Sequence, residues 1–140
     1  MSENNVPETN KAVIERFFHE VWTKWELAVA DEIISPSVSF RGSLGTTLEG
    51  LQDFKGYVET VRAAFPDWHN QIDELIAEGD KVVARMTYSG THEGRLFDVG
   101  PTGNRVTYVG VAIFRLSDGR IEDGWAVGDT QELWKALGRL

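Results

Sequence analysis

The hydrophobic period of this 140-residue chain switches once, at Trp68, and that switch limits the possible folds more than any other feature. Before it, apolar residues recur at three and four; after it, they alternate almost to the end. Thr9-Asn10 can cap a helix running to about Trp25, with Val13, Phe17 and Val21 in one line and Ile14, Phe18, Trp22 and Trp25 beside it. A stripe that wide predicts a helix lying over a sheet. A second helix covers 27–34 and ends at Pro36. Val38 and Phe40 suggest a short strand before a Gly-rich bend at 42–50. Leu51, Phe54, Tyr57, Val58 and Val61 then mark a third helix over 51–64, stopped by Pro66-Asp67.

The second half reads as strands. Residues 72–78 and 81–91 flank the tight turn Gly79-Asp80, a good hairpin signal. The turn cluster 100–104 leads into a strand over 105–116. Ser117-Asp118-Gly119 turns into a last strand reaching Asp129, and a short helix over 130–137 ends at Gly138. Helices followed by four consecutive antiparallel strands imply an α+β fold, a cone-shaped half-barrel with a curved sheet wrapped around the N-terminal helices. Residues 1–8 read as a flexible tail and 9–140 as one domain.

Charge and composition remove several functions. A net charge of −8 without a basic patch argues against nucleic acid and anionic membranes. The absence of cysteine excludes disulfides and thiolate chemistry. No apolar run is long enough to cross a bilayer, and the polar, acidic N-terminus is unlike a signal peptide, so a cytoplasmic location is expected. Three scattered His give no metal-site spacing, and His19 and His69 read as solvated. Five Trp and seven Phe can fill a core or line a pocket for a flat organic ligand.

The last strand carries the candidate chemistry. By alternation Ile121, Asp123, Trp125, Val127 and Asp129 share a face. If that face lines a cavity, Asp129 enters apolar surroundings beside an indole. Burial raises a carboxyl pKa and makes it a useful general base near neutral pH. The competing reading is that Asp129 caps the final helix. His92, at the end of the second long strand, is either a hydrogen-bond donor to a charge developing on a bound oxygen or a surface His beside a turn. Trp22, Phe40, Phe54, Tyr57, Phe65, Trp68 and Trp125 are substrate-binding candidates that can equally be core. Gly124, Ala126 and Gly128 are small for a strand, so they admit a close neighbour or mark a bulge.

Several stretches resemble the SnoaL-like polyketide cyclases of the nuclear-transport-factor-2-like superfamily. They are Phe65-Pro66-Asp67-Trp68, Gly90-Thr91-His92-Glu93-Gly94, Pro101-Thr102-Gly103, Ile113-Phe114-Arg115, Asp118-Gly119-Arg120-Ile121, Trp125 with Asp129, and Leu133 with Leu137-Gly138. The resemblance covers about 11–138. It implies a cone that dimerises through its outer sheet face, and an aldol ring closure needing neither metal nor cofactor. Asp129 matches the family's proton-abstracting Asp. An isomerase or lyase acting on a hydrophobic carbonyl compound is expected on this basis. The alternatives are a non-catalytic binder of a small ligand and an epoxide hydrolase-like enzyme, because the superfamily holds all of these.

Overall fold

The computed structural model describes residues 6–139. Helix α1 (Val6–Arg16) runs directly into a π-helical stretch, Phe17–Thr23. Short helix α2 (Leu27–Ile33) leads into strand β1 (Ile34–Arg41), and β2 (Thr47–Glu49) precedes helix α3 (Leu51–Ala64). Strands β3 (His69–Glu78), β4 (Lys81–Thr91), β5 (Arg105–Ser117) and β6 (Arg120–Gly128) follow, and helix α4 (Thr130–Ala136) ends the fold. The curved sheet has the order β2-β1-β6-β5-β4-β3 and is not closed into a barrel. Every neighbouring pair is antiparallel except β1 with β6.

The α+β reading therefore stands, with differences at the joints. Helix α1 already includes Val6 to Glu8, part of the stretch expected to be a tail; residues 1–5 lie outside those described. Asn10 is buried in mid-helix instead of capping it. The Gly-rich bend contains β2, too short to show alternation. Strand β3 starts three residues before the expected Ile72, at His69, and pairs with Ser89 there.

The wide stripe of the first helix has a structural cause. A π-helical turn spaces hydrogen bonds at five residues, so each residue turns through a smaller angle and positions 17, 18, 21 and 22 come onto one face. Phe17, Phe18, Val21 and Trp22 are all buried as a result. They meet the inward residues of the long β4–β5 pair, including Val82, Ala84, Met86 and Tyr88 opposite Phe114, Ala112, Gly110 and Tyr108. Each large side chain hidden in this layer contributes about 1.5–3 kcal/mol of transfer free energy.

The face of β6 differs from the expected one. Leu116 pairs with Ile121 and Arg115 with Asp123, so one extra β6 residue sits between these pairs as a bulge. An inserted residue reverses the in–out alternation beyond it. Ile121 is buried, but after the bulge Gly124 and Ala126 point inward while Trp125 and Val127 are exposed. Asp123 pairs with Arg115 at 2.7 Å on the outside. The alternation that put Ile121, Trp125 and Asp129 on one face is broken at Glu122.

Candidate functional site: an aromatic cavity inside the cone

The cavity lies between the π-helical turn, α3 and the inner sheet face. Phe17, Phe18 and Trp22 come from the turn, Phe40 from β1 and Tyr57 from α3. Trp68, Asn70, Tyr88, Phe114 and Ala126 enter from the approach to β3 and from β3 to β6. Edge-on contacts lock the rings: Phe17 lies 5.3 Å from Phe114, and Trp22 6.0 Å from Tyr57. Trp68 stacks on Tyr88 at 6.1 Å and 13°. The hollow offers about 30 Å³ to the centre of a water-sized sphere, room for roughly two or three waters.

Small residues make space for these rings. A Cβ on Gly42 would come within 2.2 Å of the Tyr57 hydroxyl, and one on Gly110 within 2.7 Å of the Tyr88 ring. The loop after β1 closes one side: Gly42 donates to the Thr46 carbonyl at 3.0 Å, and Ser43 shares a 2.8 Å hydrogen bond with the Tyr108 hydroxyl. Burial pushes the Tyr57 hydroxyl up to about 12 against an opposing hydrogen bond from the Leu44 backbone. Burial also raises Tyr88 and Tyr108, so all three phenols stay protonated at neutral pH.

Asn70 is the one amide in the wall, and its orientation is fixed. The Trp68 indole Nε1 can only donate, and it donates to Asn70 Oδ1 at 3.1 Å. The amide oxygen is therefore committed, and Nδ2 is buried without a hydrogen-bond partner among the described residues. No charged side chain lines the cavity among the described residues. No group of three or more His, Asp or Glu is placed to hold a metal among them either.

The expected site residues divide into two groups. Trp22, Phe40, Tyr57 and Trp68 line the cavity. Phe54 lies behind it, 5.1 Å from Phe40 and 5.6 Å from Phe17. Phe65 is fully buried under Trp68 and does not reach the cavity. Trp125 is 47% exposed on the outer face, where the Arg41 guanidinium lies 5.5 Å above its ring. Asp129 is exposed at the strand end and outside the cavity wall; it occupies the N-cap position of α4 without a capping side-chain hydrogen bond. Asp129 thus holds the cap position of the last helix, as one of its two sequence readings has it, through its place in the backbone and not through a side-chain hydrogen bond.

His92 is neither a surface residue nor a cavity residue. It is fully buried beneath the 94–104 loop, 5.4 Å from the Phe65 ring. The Thr102 backbone donates to Nδ1 at 3.2 Å, which places the ring proton on Nε2. Burial lowers its pKa and keeps the ring neutral at pH 7, and Nε2 is buried without a hydrogen-bond partner among the described residues. Its position makes it a tie for the loop.

Sequence reasoning missed Phe17, Phe18, Asn70, Tyr88 and Phe114 as wall residues. The signal for the β6 face was the row Gly124, Ala126 and Gly128: a Cβ on Gly124 would sit 2.7 Å from Phe40, and one on Gly128 2.9 Å from Tyr108. That row is the inward one, kept small to admit rings from other strands.

The comparisons agree with this architecture. The family model of SnoaL-like polyketide cyclases matches residues 12–137. AclR, a candidate hydroxylase of Streptomyces galilaeus, is 29% identical and superimposes with a TM-score of 0.83 over 96% of this chain and 83% of its own. A candidate polyketide cyclase of Acidithiobacillus ferrooxidans is 26% identical, with a TM-score of 0.81 and 99% of both chains covered. A candidate SnoaL-like polyketide cyclase of Jannaschia sp. CCS1 has a TM-score of 0.90 over 100% of this chain and 99% of its own; at 21% identity it speaks for the fold alone. No curated protein matches. With the family model spanning the helices, the cavity and the closing strand, this chain belongs to the SnoaL-like polyketide cyclase family.

Proposed function

We propose that this protein takes a small, uncharged, hydrophobic carbonyl compound into the cone. The observation that carries this reading is an aromatic wall holding one amide and two neutral phenols, Tyr57 and Tyr88, but no charged side chain among the described residues. Burying an ionised ligand there would leave its charge unpaired, at a cost that excludes it. A flat ketone or ester can instead stack on Trp68 or Tyr88 and find hydrogen-bond donors. Any such ligand exceeds the present hollow, so its entry displaces part of the wall; the 42–46 loop, tied by Ser43 to Tyr108, is a segment of that wall outside helix and strand.

Family membership supports a second step, cyclisation or isomerisation begun by proton abstraction, with Asp129 as the base. This chemistry uses no redox carrier, and a C–H flanked by carbonyls needs only one positioned carboxylate. Asp129 follows directly on the strand that supplies Ala126 to the wall, but its side chain would have to turn inward from solvent. Binding without turnover needs no such movement. His92 belongs to this reading only as a loop tie, and a homodimer through the outer face belongs to it as well. That face leaves Val109, Ile113, Trp125 and Val127 exposed on neighbouring strands.

Deuterium exchange at the carbon beside the carbonyl of 1-indanone, followed by NMR in heavy water, tests the two steps separately. Asp129→Asn should bring an accelerated exchange back to the buffer rate. Acceleration unchanged in that variant would remove Asp129 as the base. Binding without acceleration in the wild type would leave the protein as a receptor.

A further inference from the structure

Asn70 stands out because the fold fixes its amide and then leaves half of it unused. Trp68 and Asn70 are two residues apart at the start of β3, and both line the cavity. The indole proton goes to Oδ1 at 3.1 Å. A flipped amide would set two donors against each other, so Oδ1 must face the indole and Nδ2 must face elsewhere. Asn70 is only 7% exposed, and its Nδ2 has no partner among the described residues. A buried donor without an acceptor is costly, and native proteins rarely keep one without a use.

We propose that Asn70 is the ligand-anchoring residue of this cavity, and that Nδ2 donates to the carbonyl oxygen of a neutral, planar, conjugated ketone or ester. This rests on the reading that the cone takes a hydrophobic carbonyl compound. The amide decides which atom of the ligand goes where. An acceptor oxygen placed on Nδ2 relieves the unpaired donor, whereas a methylene at that point does not. The ligand's ring then lies along the Trp68–Tyr88 stack, whose planes are 13° apart. If the bound compound enolises, the same N–H would hold the developing oxyanion, because a donor already fixed by Trp68 needs no reorganisation. The Tyr57 and Tyr88 hydroxyls, also in the wall, are rival donors.

The test compares 1-indanone with indane, which has the same rings but a methylene in place of the carbonyl. Tryptophan fluorescence or calorimetry reads the binding, and infrared spectroscopy reads the carbonyl stretch of the bound ketone. The expected result is that 1-indanone binds about tenfold more tightly or better, the equivalent of about 1.4 kcal/mol. Its stretch should fall on binding. Asn70→Leu should abolish both the preference and the shift while indane still binds; Tyr88→Phe should keep both. Equal affinities for the two compounds in the wild type would overturn the role of Asn70 and leave the cavity reading intact. A preference that survives in Asn70→Leu would overturn it as well, whatever Tyr88→Phe does. Failure of 1-indanone to bind would overturn both readings. The wild-type comparison and the stretch need no variant, so a poorly folding Asn70→Leu does not protect the proposal.

Discussion

Replacing Gly124 with Ala tests the inward face of β6 more directly than any change to a large residue. The new Cβ would lie 2.7 and 2.8 Å from two carbons of the Phe40 ring and 3.1 Å from Phe114. Comfortable carbon contacts are about 3.5–4.0 Å, so the Phe40 ring must retreat by nearly an ångström. It has little room, with Phe54 at 5.1 Å and Phe17 at 6.3 Å between centroids. Overpacking of this kind costs about 1–3 kcal/mol. Against it stands the gain from a less flexible unfolded chain, about 0.4–1 kcal/mol for Gly to Ala. The clash wins. A net loss of about 0.5–2 kcal/mol is expected, lowering Tm by roughly 2–8 °C in a domain of this size. Urea and thermal denaturation measure it. Combining Gly124→Ala with Phe40→Ala should cost less than the sum of the two, since the second change removes the ring in the way. Unchanged or higher stability for Gly124→Ala, or strict additivity, would refute the placement of Phe40 over this strand, and with it the bulge that turns Trp125 outward.

Two further outcomes are expected. His92 is held neutral by burial, so its folded pKa lies below the ordinary value of about 6.5, and the unfolded chain binds the proton more readily. Its contribution to stability is complete above that ordinary value and is lost as pH falls towards the folded pKa. Urea midpoints between pH 7.5 and 5 should therefore fall more steeply for the wild type than for His92→Gln; parallel slopes would count against it. Sedimentation should find the wild type dimeric and Trp125→Glu monomeric, because the change removes the indole at the centre of the exposed Val109, Ile113 and Val127 face and adds a carboxylate whose desolvation opposes burial even beside Arg41; a monomeric wild type would remove the dimer.

Much of the fold was legible because it depends on local period. The three- and four-residue spacing of Leu51, Phe54, Tyr57, Val58 and Val61 gave α3, and those residues are buried as expected. The Gly79-Asp80 and Ser117-Asp118-Gly119 turns gave two hairpins of the sheet. Trp22, Phe40, Tyr57 and Trp68 were legible as wall candidates because a large aromatic on a buried face must touch either core or cavity. Sequence could not choose between those two, and Phe54 and Phe65 fell on the core side by a single layer of rings.

The sequence by itself determined an α+β chain whose N-terminal helices cover a mostly antiparallel sheet, since hydrophobic period is a property of each segment alone. Tertiary structure decided which face of β6 looks inward. One bulge residue at Glu122 reverses every side chain after it, and whether a strand bulges depends on the register of its neighbour β5. It also decided the polar character of the cavity. Asp129 was conspicuous in the sequence and lies in solvent, whereas Asn70 was inconspicuous and has its oxygen bound to Trp68 and its nitrogen unpaired. An unsatisfied donor is defined by what surrounds it in space, and no spacing along the chain records that.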